Sequence, residues 1–201
     1  MIELLTGDAL FSDSITFYGE LSRTSIIIFA CLSFFGVAVL VMTLISLISF
    51  IITGAPFIAT SKSLTRKIVA LAKIQPGERV YDLGCGDGRF LIEANKIYGA
   101  KAVGIDISPL VCGLAKLTVW IKRANVVIRC ADFETYDFLD ADVIFFYLVP
   151  DQMPILRKKF KGLKKGCRIL SRRFEIDGYE PLQRIQIKKR FGYEPVFIYQ
   201  I

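Results

Sequence analysis

The chain has 201 residues, 53% of them hydrophobic, and carries a formal net charge of +7 with no histidine. That length holds one domain plus an added element, and the lack of histidine excludes histidine-based acid–base catalysis and argues against a zinc or other metal centre. The five cysteines, at positions 31, 85, 112, 130 and 167, form no C-x-x-C pair and read as buried small apolar residues in a reducing compartment.

Residues 1–24 are expected to be a short tail, with Glu3, Asp8, Asp13 and Glu20 set against the single base Arg23. No charged residue follows until Lys62, and Ile26 to Ile52 is almost continuously apolar. As a helix, that stretch reaches about 40 Å, more than the roughly 30 Å of bilayer hydrocarbon, so residues 25–53 are expected to form one transmembrane helix. A cleaved signal peptide has a basic start and a shorter apolar core, and a core helix apolar on every side does not suit so small a domain. Lys62, Arg66, Lys67 and Lys73 follow the span, so the positive-inside rule puts residues 62–201 in the cytoplasm and the N-terminus outside. That cytoplasmic part holds 25 basic and 15 acidic residues.

Gly54-Ala55-Pro56-Phe57 breaks the helix, and a connecting region at 54–75 contains a second helix. Thr60, Ser61 or Ser63 can cap it, and Leu64, Ile68, Leu71 and Ala72 share its inner face. A domain at 76–201 then opens with a Pro76-Gly77 turn and a short buried strand, Arg79-Val80-Tyr81. Next come Asp82-Leu83-Gly84-Cys85-Gly86-Asp87-Gly88-Arg89 and a helix with Phe90, Leu91, Ala94, Ile97 and Tyr98 on one face. A strand, a glycine-rich turn and a helix N-terminus let the backbone pass close to a ligand above the sheet edge. The pattern is G-x-G-x-G rather than the G-x-G-x-x-G of dinucleotide sites, with an acid two residues before the first glycine.

This run resembles motif I of the class I, seven-β-strand S-adenosylmethionine methyltransferases. The resemblance implies an α/β, Rossmann-like, mostly parallel seven-stranded sheet whose last strand is antiparallel, and S-adenosyl-L-methionine as cofactor. That ligand ends in an ammonium and a carboxylate, so an acid at Asp82 helps where a diphosphate cradle would not. It also implies that Gly84, Gly86 and Asp87 line the cofactor. Ala102 to Asp106 is a second strand ending in an acid 22 residues after Gly84, the spacing of a strand–turn–helix–strand unit. By the resemblance, Asp106 takes the ribose hydroxyls, with Ile107 beside it.

Ser108-Pro109 starts a further helix, with Leu110, Leu114, Leu117 and Ile121 expected as its buried stripe. Val126 to Cys130 is the third strand, and the resemblance puts Asp132 against the adenine amine and Phe133 against the ring. Asp142 to Leu148 is an apolar central strand ending Tyr147-Leu148-Val149-Pro150, beside the methyl group to be transferred. A helix from Asp151 to about Gly162 follows, then strands at Arg168 to Phe174, Arg184 to Arg190 and Glu194 to Ile201. Between Arg157 and Arg173 there are nine bases and no acid, read either as a solvated face or as a contact for anionic lipid.

The span, the Gly54-Ala55-Pro56-Phe57 break, the glycine turn and Tyr147-Leu148-Val149-Pro150 together are similar to the membrane-tethered protein-lysine methyltransferases. Members of that family act on the ATP synthase c-subunit and the adenine nucleotide translocase, and the likeness covers roughly residues 54–180. It implies a membrane-protein lysine as methyl acceptor. A free lysine is protonated near neutrality and must lose its proton to attack, which a desolvated channel favours. Tyr147, Asp87 and the backbone carbonyls around Leu148 are the candidates to orient the amine, Tyr147 foremost. The competing acceptors are a lipid, a quinone or another small molecule. RNA fits less well, because the fourth strand lacks the Asn/Asp-Pro-Pro-Tyr ending of amino-base enzymes. A catalytically dead sensing module fits poorly with the intact set Asp82, Gly84, Gly86 and Asp106.

Overall fold

In the first unit a single helix, α1 (Asp8–Thr53), dominates the chain of a computed structural model that describes residues 8–53, 60–189 and 192–201. The helix begins earlier than expected, since residues 8–24 contain no proline and continue the same helix as the apolar run. The segment Arg23–Leu44 is long and apolar enough to cross a membrane, and none of it is buried within the protein. The chain divides into two compact units, Met1–Ile48 and Ser49–Ile201. The Gly54-Ala55-Pro56-Phe57 break lies outside the described residues.

Within the second unit, α1 is followed by α2 (Lys62–Leu71), whose N-cap Ser61 accepts a hydrogen bond from the Leu64 amide at 3.3 Å. Then come β1 (Arg79–Leu83), α3 (Arg89–Tyr98), β2 (Lys101–Asp106), α4 (Pro109–Ile121), β3 (Val126–Cys130) and β4 (Val143–Phe146). A 3-10 turn at Pro150–Gln152 leads into α5 (Met153–Phe160), and β5 (Arg168–Arg172), β6 (Gln183–Lys188) and β7 (Tyr193–Gln200) complete the sheet. The strand order is β3-β2-β1-β4-β5-β7-β6. Strands β1 to β5 pair in parallel, and β7 runs antiparallel to both β5 and β6. The expected seven-stranded Rossmann-like sheet with its antiparallel last strand is therefore present.

Each face of the sheet has its own core. Leu64 and Ile68 of α2, Phe90 and Leu91 of α3, and Cys112 and Ala115 of α4 pack on one face. Leu156 and Phe160 of α5, with Phe138 and Leu148, pack on the other. Chain order reverses between β1 and β4, so the carboxyl ends of β1, β2 and β4 flank a crevice where ligands of this architecture sit.

Four expectations fail in detail. Helix α4 buries Val111, Cys112, Ala115 and Val119, while the stripe Leu110, Leu114, Leu117 and Ile121 is exposed. Both stripes are apolar, and the one with small residues wins because it lets the helix lie close to the sheet. On α3 the inner face takes Ile92 rather than Ile97, which is exposed. Of the cysteines, 85, 112 and 167 are buried, but Cys31 and Cys130 are exposed. Ser108 occupies the N-cap place of α4, yet its side chain makes no capping bond. Its buried position is instead fixed through its amide, which donates to Asp106 Oδ1 at 3.0 Å.

Candidate functional site

Strand β1 ends in the glycine turn, and the turn bends back onto β2. The amides of Gly84 and Cys85 both donate to the Ile105 carbonyl, at 2.9 and 3.1 Å. Gly84 has φ of +76°, and a Cβ there would stand 3.0 Å from Leu148 Cδ2, so a side chain would be strained in the backbone and crowded by the leucine. On β2, a Cβ on Gly104 would meet Leu91 at 2.7 Å and Cys85 Sγ at 2.8 Å. A hydrogen at 104 is what allows the turn to press onto the strand.

Three carboxylates gather around this turn. Asp106 ends β2, and its Oδ2 accepts from the Gly86 amide at 3.2 Å while Oδ1 takes the Ser108 amide. Burial pushes its carboxyl above the usual range, partly offset by those two amides. Asp82 is 3% exposed and, among the described residues, accepts no hydrogen bond from the protein. Burial raises it well above the ordinary value, and the charges of Asp106 and Asp87 raise it further. Asp87 is already paired. It grips Arg89, with Oδ1 and Oδ2 at 2.8 and 2.9 Å from Nε. A buried acid without a donor, beside a second acid with spare lone pairs, suits a ligand that brings cationic and hydroxyl groups. A diphosphate would be repelled.

The other expected residues follow the carboxyl ends of β2, β3 and β4. Ile107 is half exposed directly after Asp106. Asp132 follows β3 and closes an Asx turn, its Oδ1 accepting from the Glu134 amide at 2.8 Å. Phe133 packs against the core beneath α5. Tyr147 follows β4, with its ring 4.2 Å from the Arg172 guanidinium and its hydroxyl 3.0 Å from Arg173 Nη1.

Sequence reasoning missed the group that holds Tyr147. Arg172 ends β5 almost fully buried, donates to Glu194 Oε1 at 2.7 Å and to Thr60 Oγ1 at 2.6 Å. Glu194 is also buried, and Lys189 donates to its other oxygen. Arg89 reaches the Thr60 carbonyl, so the residue just before the α2 cap is tied to the site from two sides. Arg173 adopts φ of +76°, strained for a non-glycine residue, and that backbone turn carries its guanidinium to the tyrosine. Only the lone acid Glu194 in an otherwise apolar strand could have hinted at this network.

The basic run from Arg157 to Arg173 is largely consumed inside the domain. Lys159 donates to the Phe133 and Tyr136 carbonyls at 2.8 and 2.7 Å, Lys164 pairs with Asp142, and Arg168 pairs with Glu78. The last two lie at the amino ends of the strands, opposite the crevice.

Residues 82–183 match the family model described as the ANTKMT methyltransferase domain. A protein-lysine N-methyltransferase of Saccharolobus islandicus is 33% identical over 73% of this chain and 93% of its own length. The mouse adenine nucleotide translocase lysine N-methyltransferase is 28% identical over 63% of this chain, and the match spans only 56% of that relative. Among solved structures, an RNA methyltransferase from Salinibacter ruber, in complex with S-adenosyl-L-homocysteine, superposes with a TM-score of 0.67 at 28% identity. That match covers 72% of this chain and 94% of the other.

Proposed function

Because the chain belongs to the ANTKMT methyltransferase family of S-adenosylmethionine-dependent protein-lysine methyltransferases, we propose that it methylates a lysine of a membrane-associated protein while α1 holds it in the bilayer. The observation that carries this reading is the fastening of Thr60 by Arg89 and Arg172 on the crevice side of the domain. The six residues 54–59 that join it to α1 reach at most about 22 Å, so an acceptor at the membrane surface is within range and a freely diffusing one gains nothing. The basic residues after α1 favour a cytoplasmic domain. Any contact of the 157–173 stretch with anionic lipid rests on the four cations that form no ion pair or hydrogen bond among the described residues, Arg157, Lys158, Lys161 and Lys165.

S-adenosylmethionine supplies an electrophilic sulfonium methyl when bound. The chain's own residues hold and orient. Asp82 would face the ammonium of the cofactor and Asp106 would take the ribose hydroxyls, with Gly84 and Gly86 letting the backbone close on it and Ile107, Asp132 and Phe133 bordering the adenine. Asp87 acts at one remove, by fixing Arg89 and through it the entry of the chain. Tyr147 orients the acceptor amine. The guanidiniums of Arg172 and Arg173 beside it disfavour a protonated lysine there, which keeps the nucleophile neutral without a strong base.

Raised carboxyls make cofactor affinity depend on pH. A folded-state pKa above the unfolded value gives stability that is present below the unfolded pKa and lost as pH rises through the folded one, so Asp82 and Asp106 take up protons more readily than free acids. A cationic ligand needs them ionised. The dissociation constant for S-adenosylmethionine is expected to rise as pH falls, beginning above the ordinary carboxylate range near ~4. Calorimetry across the acid range checks it, and a flat profile removes both acids from the cofactor site.

The second reading, RNA as acceptor, is favoured only by the named activity of the Salinibacter structure. One experiment separates them. Membranes and RNA from a strain deleted for this gene are incubated with full-length protein and radiolabelled methyl donor. Label in a membrane protein, recovered as methyl-lysine, is expected. Label in RNA or lipid alone would overturn the lysine reading.

A further inference from the structure

We infer that α4 is a second membrane contact, an interfacial helix that lays its outer face into the headgroup boundary of an anionic bilayer; the inference rests on the reading that α1 anchors the chain. The face is continuous. Leu110, Leu114, Leu117 and Ile121 recur at spacings of four, three and four, each 44–59% exposed, and Trp120 beside them is 75% exposed. Helix Pro109–Ile121 is the one shorter apolar helix among the described residues. Large apolar side chains grouped in this way on a folded surface mark an interaction site.

Charge identifies the occupant. From Ile107 to Arg129 there is no acid, while Lys116, Lys122, Arg123 and Arg129 are exposed and form no ion pair among the described residues. Leucine, isoleucine and tryptophan on one face, with cations at its margins, is the signature of a helix lying in a membrane interface. A second copy of the chain suits the face less. A twofold contact would bring these cations toward their own counterparts with no acid between positions 106 and 132 to pair with them. Lipid is also the phase that α1 brings within reach.

The contact has a consequence for the site. The amino end of α4 abuts Asp106 through Ser108, at the carboxyl end of β2. Docking the helix would therefore hold the crevice at the level of the headgroups, where a lysine flanking a substrate's own membrane segment is found.

Trp120 is the sole tryptophan of the chain, so its fluorescence reports on α4 alone. Full-length protein is reconstituted into vesicles of phosphatidylcholine and phosphatidylglycerol, with and without brominated acyl chains, and challenged with aqueous iodide. The expected result is a blue-shifted Trp120 emission, quenched by bromine at a depth of about 5–10 Å and shielded from iodide. The exposed-face variant Leu114→Lys/Leu117→Lys is expected to lose both effects while keeping its melting temperature. Emission that stays open to iodide and indifferent to bromine, in protein that resists carbonate extraction, overturns the α4 contact and leaves the anchor standing. Bromine quenching in protein that carbonate strips away supports the α4 contact and overturns the anchor. Shielding that disappears as protein is diluted in lipid, without bromine quenching, identifies a second copy and overturns the proposal.

Discussion

Replacing Glu194 by alanine is expected to destabilise the methyltransferase domain by about 3–5 kcal/mol, the cost of leaving one partner of a buried ion pair uncompensated. The guanidinium of Arg172 is buried, and Glu194 is its only carboxylate partner among the described residues. For a domain of this size the loss corresponds to a fall in melting temperature on the order of 10 °C. Replacing both residues with apolar ones of similar volume, Arg172→Met with Glu194→Leu, is expected to recover much of that stability, because no buried charge then remains. It is not expected to recover methyl transfer, since Tyr147 loses the guanidinium stacked on its ring. The pair also sets an acid limit. Burial raises the Glu194 carboxyl, but the hydrogen bonds from Lys189 and Arg172 outweigh it and leave it below its usual range. A lowered folded-state pKa gives stability that is present above the unfolded value and lost as pH falls through the folded one. Thermal melts over that acid window test both points. Melting temperatures that match the parent at neutral pH would show that water replaces the carboxylate and that the pair is structurally idle.

That network also shows where reading the sequence stops. The glycine turn was legible because its parts are contiguous: a strand that must end, three glycines in left-handed backbone and an acid spaced for the next strand. The sheet followed from it, since alternating strands and helices leave few connections open. Arg172 and Thr60 are 112 residues apart, and nothing local in either marks the other as its partner. The basic run is hard to read for a related reason. Read as a block, its charges suggest one surface, whereas Lys159, Lys164, Arg168, Arg172 and Arg173 are each drawn to a different carbonyl, carboxylate or ring by the fold. Helix α4 is the opposite case. Its periodicity was plain, but two apolar stripes satisfy the same period, and only the close approach of Cys112 and Ala115 to the sheet decides which one is buried. The stripe left over is the surface from which the membrane contact is inferred.

Asp106→Ala is expected to weaken S-adenosylmethionine binding by about 1.5–3 kcal/mol, roughly 10- to 150-fold in dissociation constant. The carboxylate already joins the glycine turn to the start of α4 through the amides of Gly86 and Ser108. Each oxygen retains a lone pair for a ligand hydroxyl, and hydrogen bonds to a charged acceptor are the strong ones. Asp106→Asn keeps the shape of the group but gives up its charge and one of its acceptors, so an intermediate loss is expected. The charge matters to its neighbour as well. Asp106 helps to hold the Asp82 carboxyl above its ordinary range, so either variant should let Asp82 ionise at lower pH and shift the acid limb of cofactor binding downward. Calorimetric titration of the full-length protein at several pH values reads both quantities. A weakened affinity with the acid limb unmoved would separate the two acids and confine Asp106 to the hydroxyl contacts. An affinity equal to the parent's would remove Asp106 from the cofactor site, and the fastening of the glycine turn would be its whole role.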